Sequence, residues 1–393
     1  MYFCTTQQTH MRQINPFIIS SEYISQEYFC DRTFETKVLV DNILNGRNSV
    51  LISIRRMGKS GLINHCFNQK AISDNFNTFF IDLYSTSSLS EMVTLMGREI
   101  VDSLKGKGKK MLDKFVSTVK SLVTGITIDP VTGQPALNIS IGNIQQPEQT
   151  LQEIFEYLEK SGKPCVVAID EFQQASEYPE GNIIALLRTH VQKCKQTQFI
   201  FAGSKRRMMD NLFNNPSEPF YMSCANLFLE AIDRDEYFKF AAAHFNKAGK
   251  SISAECFYRM YDALEGHTWF IQRLLNEMYA TMGEGETADI NCLNAAMQHI
   301  LKLDKRSYEE TLQRLTSPQK QLLIAIAKEI KAKEITSSGF VHRHGLKSAS
   351  SVQNAANTLY ENEMITREGD EYFVTNRFLG FWLKERYDIG FKF

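Results

Sequence analysis

The chain has 393 residues, 43% of them hydrophobic and 23% charged, which are ordinary globular values in a chain too long for one core, so roughly two or three domains are expected. A formal net charge of −1 gives no global electrostatic reason to expect nucleic-acid binding, and no apolar run approaches the ~18 residues of a membrane span. Eight scattered cysteines with no C-x-x-C pair, and a polar stretch over 1–15 without a signal-peptide core, argue against a zinc site or disulfide framework and for a cytoplasmic protein.

The first apolar run, 49–54, leads into Ser53-Ile-Arg-Arg-Met-Gly-Lys-Ser60. This is the phosphate-binding pattern Gly-x-x-x-x-Gly-Lys-Ser/Thr with Ser53 in place of the first glycine. In that pattern backbone N–H groups wrap the β-phosphate, the lysine reaches the β- and γ-phosphates, and the hydroxyl sits on Mg²⁺. Ser53, Arg55, Arg56, Met57, Gly58, Lys59, Ser60 and Gly61 are therefore the expected ATP-binding residues, with Ser60 also on the metal. A helix over 61–67 follows, and its N-terminus favours an anion. Ser53 closes the turn with more strain than glycine wherever a positive φ is required.

Further apolar runs at 78–83, 165–169, 199–203 and 227–232, with helical stretches at 89–104, 150–160 and 183–194, predict a doubly wound α/β domain. Its parallel sheet carries helices on both faces. A basic run over 105–110 and two alternating segments around Thr132-Gly133 read as an inserted loop and hairpin at about 105–145. The third run ends in Asp170-Glu171. Successive residues leave a strand in different directions, so Asp170 is the candidate Mg²⁺ ligand and Glu171 the group that activates water. The fourth run ends in Ser204-Lys205-Arg206-Arg207. Ser204 is expected at the attacking water or γ-phosphate, with one of the three cations, Arg206 among them, neutralising charge there; spacing does not choose among the three. Lys59, Glu171, Ser204 and Arg206 make up the expected catalytic set.

Beyond 233, apolar spacing predicts helices at 235–246, 253–264, 268–282 and 292–303. Gly266-His267-Thr268 interrupts them, and His267 is a candidate nucleotide contact. Helices at 317–330 and 348–361, with the stretch 338–344 between them, then extended runs 364–367 and 372–375 about a Gly369-Asp370 turn, give the order of a winged helix-turn-helix. The open face of the helix at 348–361 offers Gln353, Asn354 and Asn357 but no Lys or Arg. Residues 318–393 hold eleven Lys and Arg against nine Asp and Glu, a poor electrostatic footprint for DNA.

Taken together these motifs resemble the prokaryotic P-loop ATPases grouped as archaeal-type ATPases, relatives of the STAND and AAA+ classes. The resemblance is carried by Tyr28-Phe-Cys-Asp-Arg32, Arg55 to Ser60, Ala168-Ile-Asp-Glu-Phe-Gln173, Phe201-Ala-Gly-Ser204, Pro219-Phe-Tyr221, Gly266 to Phe270 and Phe378-x-x-Phe-Trp382, across about 26–393. It implies Asp31 and Arg32 beside the adenine, Asp31 standing where the family has glycine, while Thr268 replaces the proline of the lid motif. The implied organisation is an N-terminal extension (1–25), a P-loop core (26–234), a helical lid (235–304) and a winged helix (305–393). The implied activity is Mg²⁺-dependent ATP hydrolysis working a switch. A DNA-binding regulator, or action through a protein partner or homo-oligomer as in a defence or toxin–antitoxin system, remains open at this stage, with no membrane association expected.

Overall fold

The computed structural model describes residues 15–19, 25–105, 109–122, 126–128, 135–137 and 144–387. They form two compact units, one within Ser20–Ile232, the other joining the described part of Met1–Ile19 to Asp233–Phe393. The expected Thr132-Gly133 turn and the middle of the basic run, 106–108, lie outside the described residues.

In the first unit α1 (Thr33–Leu44) precedes β1 (Ser49–Ser53), and α2 (Lys59–Phe67) with the single turn α3 (Lys70–Ser73) leads to β2 (Asn77–Asp82). Next come α4 (Leu89–Lys105), α5 (Lys109–Thr118) and the antiparallel pair β3 (Ile126–Ile128) and β4 (Pro135–Leu137), the inserted hairpin. The unit closes with α6 (Pro147–Lys160), β5 (Cys165–Asp170), α7 (Ile183–Lys193), β6 (Thr197–Gly203), α8 (Arg206–Asn214) and β7 (Ala225–Leu229).

Five parallel strands stand in the order β2-β5-β6-β1-β7. Side chains alternate between the faces of a strand, so each run builds two cores. Val50, Ile52, Val167, Ile169, Phe199 and Phe201 pack with α4 to α8 on one face, while Leu51, Val166, Ala168, Ile200 and Ala202 pack with α1 and α2 on the other. Parallel pairing brings the strands' C-terminal ends to one edge, where ligand crevices form in such sheets. Because β6 lies between β1 and β5, whatever follows β6 falls between the loop after β1 and the carboxylates that end β5.

The second unit begins with α9 (Arg234–Lys247), β8 (Ser251–Ile252), α10 (Ala254–Ala263), α11 (Thr268–Thr281), β9 (Thr287–Ala288) and α12 (Ile290–Gln313). Asp233, Ser253 and Asp289 cap α9, α10 and α12 through their side chains. α12 runs on to Gln313 instead of stopping at 303, because Tyr308 and Leu312 continue its buried face beyond the charged stretch 304–306. Phe17 is fully buried here among Phe240, Phe245 and Tyr279.

The winged helix comprises α13 (Ser317–Glu329), β10 (Ala332–Lys333), α14 (Ser338–Arg343), α15 (Ala349–Glu361), β11 (Ile365–Glu368), β12 (Glu371–Val374) and α16 (Arg377–Tyr387). Its sheet has the order β10-β12-β11. Within this unit Glu265, in the α10–α11 turn, pairs with Lys331 and with the buried Arg377, each at 2.5 Å. Phe378 and Trp382 are core anchors, Phe378 packing edge-on against Phe270 and Trp382 against Tyr308. Among the described residues no helix is long and apolar enough to cross a membrane.

Candidate functional site

The loop after β1 does not need its missing glycine. Ser53 is the last residue of β1 and keeps extended backbone; its hydroxyl is buried without a hydrogen-bond partner. The left-handed positions are Arg56 (φ 68°) and Gly58 (φ 90°). Gly58 takes that conformation freely, whereas Arg56 carries a cost of about 1–2 kcal/mol. Local backbone strain of this kind collects at ligand-binding turns. α2 starts at Lys59 with Gly58 as a cap that has no side chain, so the N–H groups of its first turn have no intrahelical acceptor.

Around the loop, Arg55 lies over the Tyr84 ring at 5.5 Å and Met57 is buried. The Met57 carbonyl accepts from Arg32 Nη2 at 3.3 Å, while Arg32 Nη1 donates to Glu35 Oε1 at 2.8 Å. Arg32 is itself buried, so it braces the loop against the start of α1. Asp31 and Arg32 both have positive φ, 53° and 61°, which is why glycine suits position 31. Phe29 stacks flat on His65 of α2, ring centroids 3.9 Å apart, and a Cβ on Gly61 would stand 3.9 Å from the Phe29 ring.

Lys59, Ser60, Asp170 and Glu171 form one hydrogen-bonded group. The Lys59 ammonium pairs with Asp170 Oδ1 and lies 3.3 Å from Glu171 Oε1. Ser60 Oγ donates to Asp170 Oδ2 at 2.7 Å, and the Glu171 N–H to Asp170 Oδ1 at 2.8 Å. Glu171 is left-handed (φ 51°), a turn of the chain that lets two consecutive carboxylates meet the same lysine. Its other oxygen, Oε2, accepts from Ser204 Oγ at 2.8 Å and from Gln173 Nε2 at 2.6 Å. Burial works to raise the Glu171 carboxyl, but Lys59 and the bonds from Gln173 and Ser204 prevail and hold it below the usual carboxylate range. Asp82, level with Asp170 on the adjacent strand, is pushed up by desolvation and then by repulsion from Asp170 and Glu171, against the Tyr84 N–H bond.

Of the three cations after Ser204, Lys205 pairs with Glu177 at 2.9 Å and Arg206 with Glu230 at 3.0 Å. Arg207 is exposed and lines an open groove of about 700 Å³ with Asn182, Asn211 and Glu218. His267 belongs to the second unit and is buried there, its Nδ1 2.9 Å from the Leu264 carbonyl. Burial, helped by Arg377, lowers it to about 4, so its ring is neutral at physiological pH. Sequence reasoning placed Arg32 beside the adenine but not on the Met57 carbonyl, and it missed the parts played by Asp82 and Gln173. For Gln173 a readable signal existed in the motif Asp-Glu-Phe-Gln, two residues past Glu171.

The donor set suits a nucleoside polyphosphate with Mg²⁺. That cation takes one or two carboxylates and otherwise keeps water and phosphate oxygens. Asp170 offers one carboxylate and Ser60 a hydroxyl oxygen beside it, and the uncapped N-terminus of α2 with Lys59 offers the anion's donors.

Comparison with known proteins bears on the same residues. Residues 29–274 match the family described as the ATPase domain predominantly from Archaea, and residues 306–385 match the probable winged helix domain. Among solved structures the chain is similar to the Walker-type ATPase of Pyrococcus abyssi, at 17% identity and a TM-score of 0.64, over 94% of this chain and 99% of that one. The ORC1 protein of Aeropyrum pernix, solved in complex with DNA, follows at 12% identity and a TM-score of 0.48, over 91% and 93%. Likeness at such identities concerns the fold alone. No curated protein matches the chain in sequence.

Proposed function

The chain belongs to the family of ATPase domains found predominantly in Archaea, and on that premise we propose that it binds and hydrolyses Mg·ATP in the cytoplasm as a nucleotide-dependent switch. One observation carries the reading: a single ammonium, Lys59, is shared by Asp170 and Glu171 while Ser60 donates to the same Asp170. Phosphates cradled by 55–61 compete with both carboxylates for that ammonium. With Lys59 turned to the phosphates, Asp170 and Ser60 would hold Mg²⁺ and Glu171 would be free to accept a proton from water. Mg²⁺, when bound, supplies neutralisation of the charge that builds on the phosphate oxygens. Ser204 aligns the γ-phosphate or the water, and Arg206 adds positive charge once it leaves Glu230. Asp31 and Arg32 frame the nucleotide side of the loop.

The test is steady-state hydrolysis beside calorimetric ATP binding in Glu171→Gln. Turnover is expected to fall about 10²–10⁴-fold with affinity retained. Parent-rate hydrolysis in that variant would reduce Glu171 to a structural acid. The switch itself calls for hydrogen exchange in α15 with ADP and with a non-hydrolysable ATP analogue; identical protection in the two would remove it. A protein partner or second copy of the chain, rather than DNA, suits the winged helix, because the open face of α15 carries no cation.

A further inference from the structure

Gln173 sits on the short 3-10 turn Phe172–Glu177 that follows β5, with 2% of its surface exposed. Its Nε2 donates to Glu171 Oε2 at 2.6 Å, while its Oε1 is buried with no partner. That oxygen lies against Gly203 and the Met209 side chain, where any Cβ at 203 would collide with it. An apolar side chain of the same length would fill this space without stranding an acceptor, so packing does not account for the amide. Turned over, the amide would set its oxygen against Glu171 Oε2, acceptor to acceptor.

The two Glu171 oxygens therefore have unlike surroundings. Oε1 faces Lys59, and Oε2 is held by Gln173 and Ser204. On the hydrolysis reading, Lys59 and Ser204 both turn to phosphate, and Gln173 alone keeps its grip. We propose that Gln173 is a positioning residue that fixes Glu171 by Oε2 and so makes Oε1 the oxygen that takes the proton of the attacking water. In that step the water oxygen bonds to the γ-phosphorus, the bond from phosphorus to the ADP oxygen breaks with its electron pair left on ADP, and the water proton passes to Oε1.

The inference rests on ATP hydrolysis by this site, and its test separates the two claims. Gln173→Met keeps length and apolar bulk but cannot donate; Gln173→Glu adds a like charge beside Glu171. Calorimetric ATP affinity is expected to stay within about twofold, because the amide's hydrogen bond goes to Glu171 and not to the 53–61 loop. Turnover should fall roughly tenfold to a hundredfold, the scale of one hydrogen bond to a charged group. The loss should fall on kcat, with the KM for ATP unchanged. The carboxyl carbon-13 shift of Glu171 at neutral pH, assigned by its loss in Glu171→Gln, should move in both variants as the hydrogen bond to Oε2 is lost. An unchanged kcat and an unchanged Glu171 shift in Gln173→Met would make Gln173 a packing residue. If the parent turned over no ATP, the hydrolysis reading would fall, and the shift would still decide whether Gln173 holds the carboxylate.

Discussion

Lys59→Met is expected to weaken the fold as well as phosphate binding. The ammonium is buried, its side chain 8% exposed, against Asp170 at 4% and Glu171 at 16%. Methionine keeps the apolar stem and removes only the charge, leaving two carboxylates together with no cation. Breaking a buried pair from one side costs about 3–5 kcal/mol, and in a domain of this size each kcal/mol moves the midpoint by roughly 2–4 °C, so the first unit should melt about 6–20 °C lower. Both tryptophans, Trp269 and Trp382, lie in the second unit, so fluorescence follows that unit while calorimetry and circular dichroism follow both. Asp170→Asn in the same chain should restore part of the loss, with a coupling of about 0.5–3 kcal/mol. The loss also depends on pH. Glu171 is held below its unfolded value, so its stabilisation is present above the ordinary carboxylate pKa and disappears as pH falls through the lower folded value. The parent should therefore lose its advantage over Lys59→Met as the solution is acidified through that range. A variant melting within about 3 °C of the parent at neutral pH, with no recovery from Asp170→Asn, would refute the claim that this lysine neutralises the pair.

Gly203→Ala should destabilise the first unit by about 1–3 kcal/mol, the usual cost of overpacking, since its Cβ would collide with Gln173 Oε1 and Met209; it should also lower turnover by displacing Gln173. A melt and a rate matching the parent would show that the neighbours yield at no cost. Gel-shift titration of the whole chain should find DNA binding that is weak, sequence-independent and lost with salt; a specific binder would reach a Kd of about 10⁻⁸–10⁻¹¹ M at physiological salt, and sub-micromolar sequence-dependent binding there would promote the regulator reading.

What could be read from the chain, and what could not, divides by the range of the interaction. The central strands are covered on both faces, so they appear as unbroken apolar runs, and the polar residues that end them announce the crevice. The phosphate loop is legible because its chemistry lies within one turn of chain, and the winged helix because its helices carry their own caps at Thr316, Ser337 and Ser348. The two-residue parallel pair β8–β9 is too short to leave a period, and α12 hides its last turns behind charges that face solvent. Arg32 on the Met57 carbonyl and Glu265 on Arg377 are contacts between distant stretches, invisible to any local pattern.

The candidate site shows the same division at closer quarters. Two motifs, each interpretable by itself, pointed to Lys59, Ser60, Asp170 and Glu171, and the fold brings the four into one hydrogen-bonded group. Ser204 was found because a third strand had to end beside them. Gln173 and Gly203 were not, since a side chain that holds another side chain has meaning only once β5 and β6 lie next to each other. The order of the sheet is what turns Phe-Gln after Glu171 and Ala-Gly before Ser204 into one support. On the proposed reading, Gln173 and the space left by Gly203 decide which oxygen of the carboxylate meets water. Both lie inside motifs legible along the chain, but their joint role exists only where β5 and β6 lie side by side.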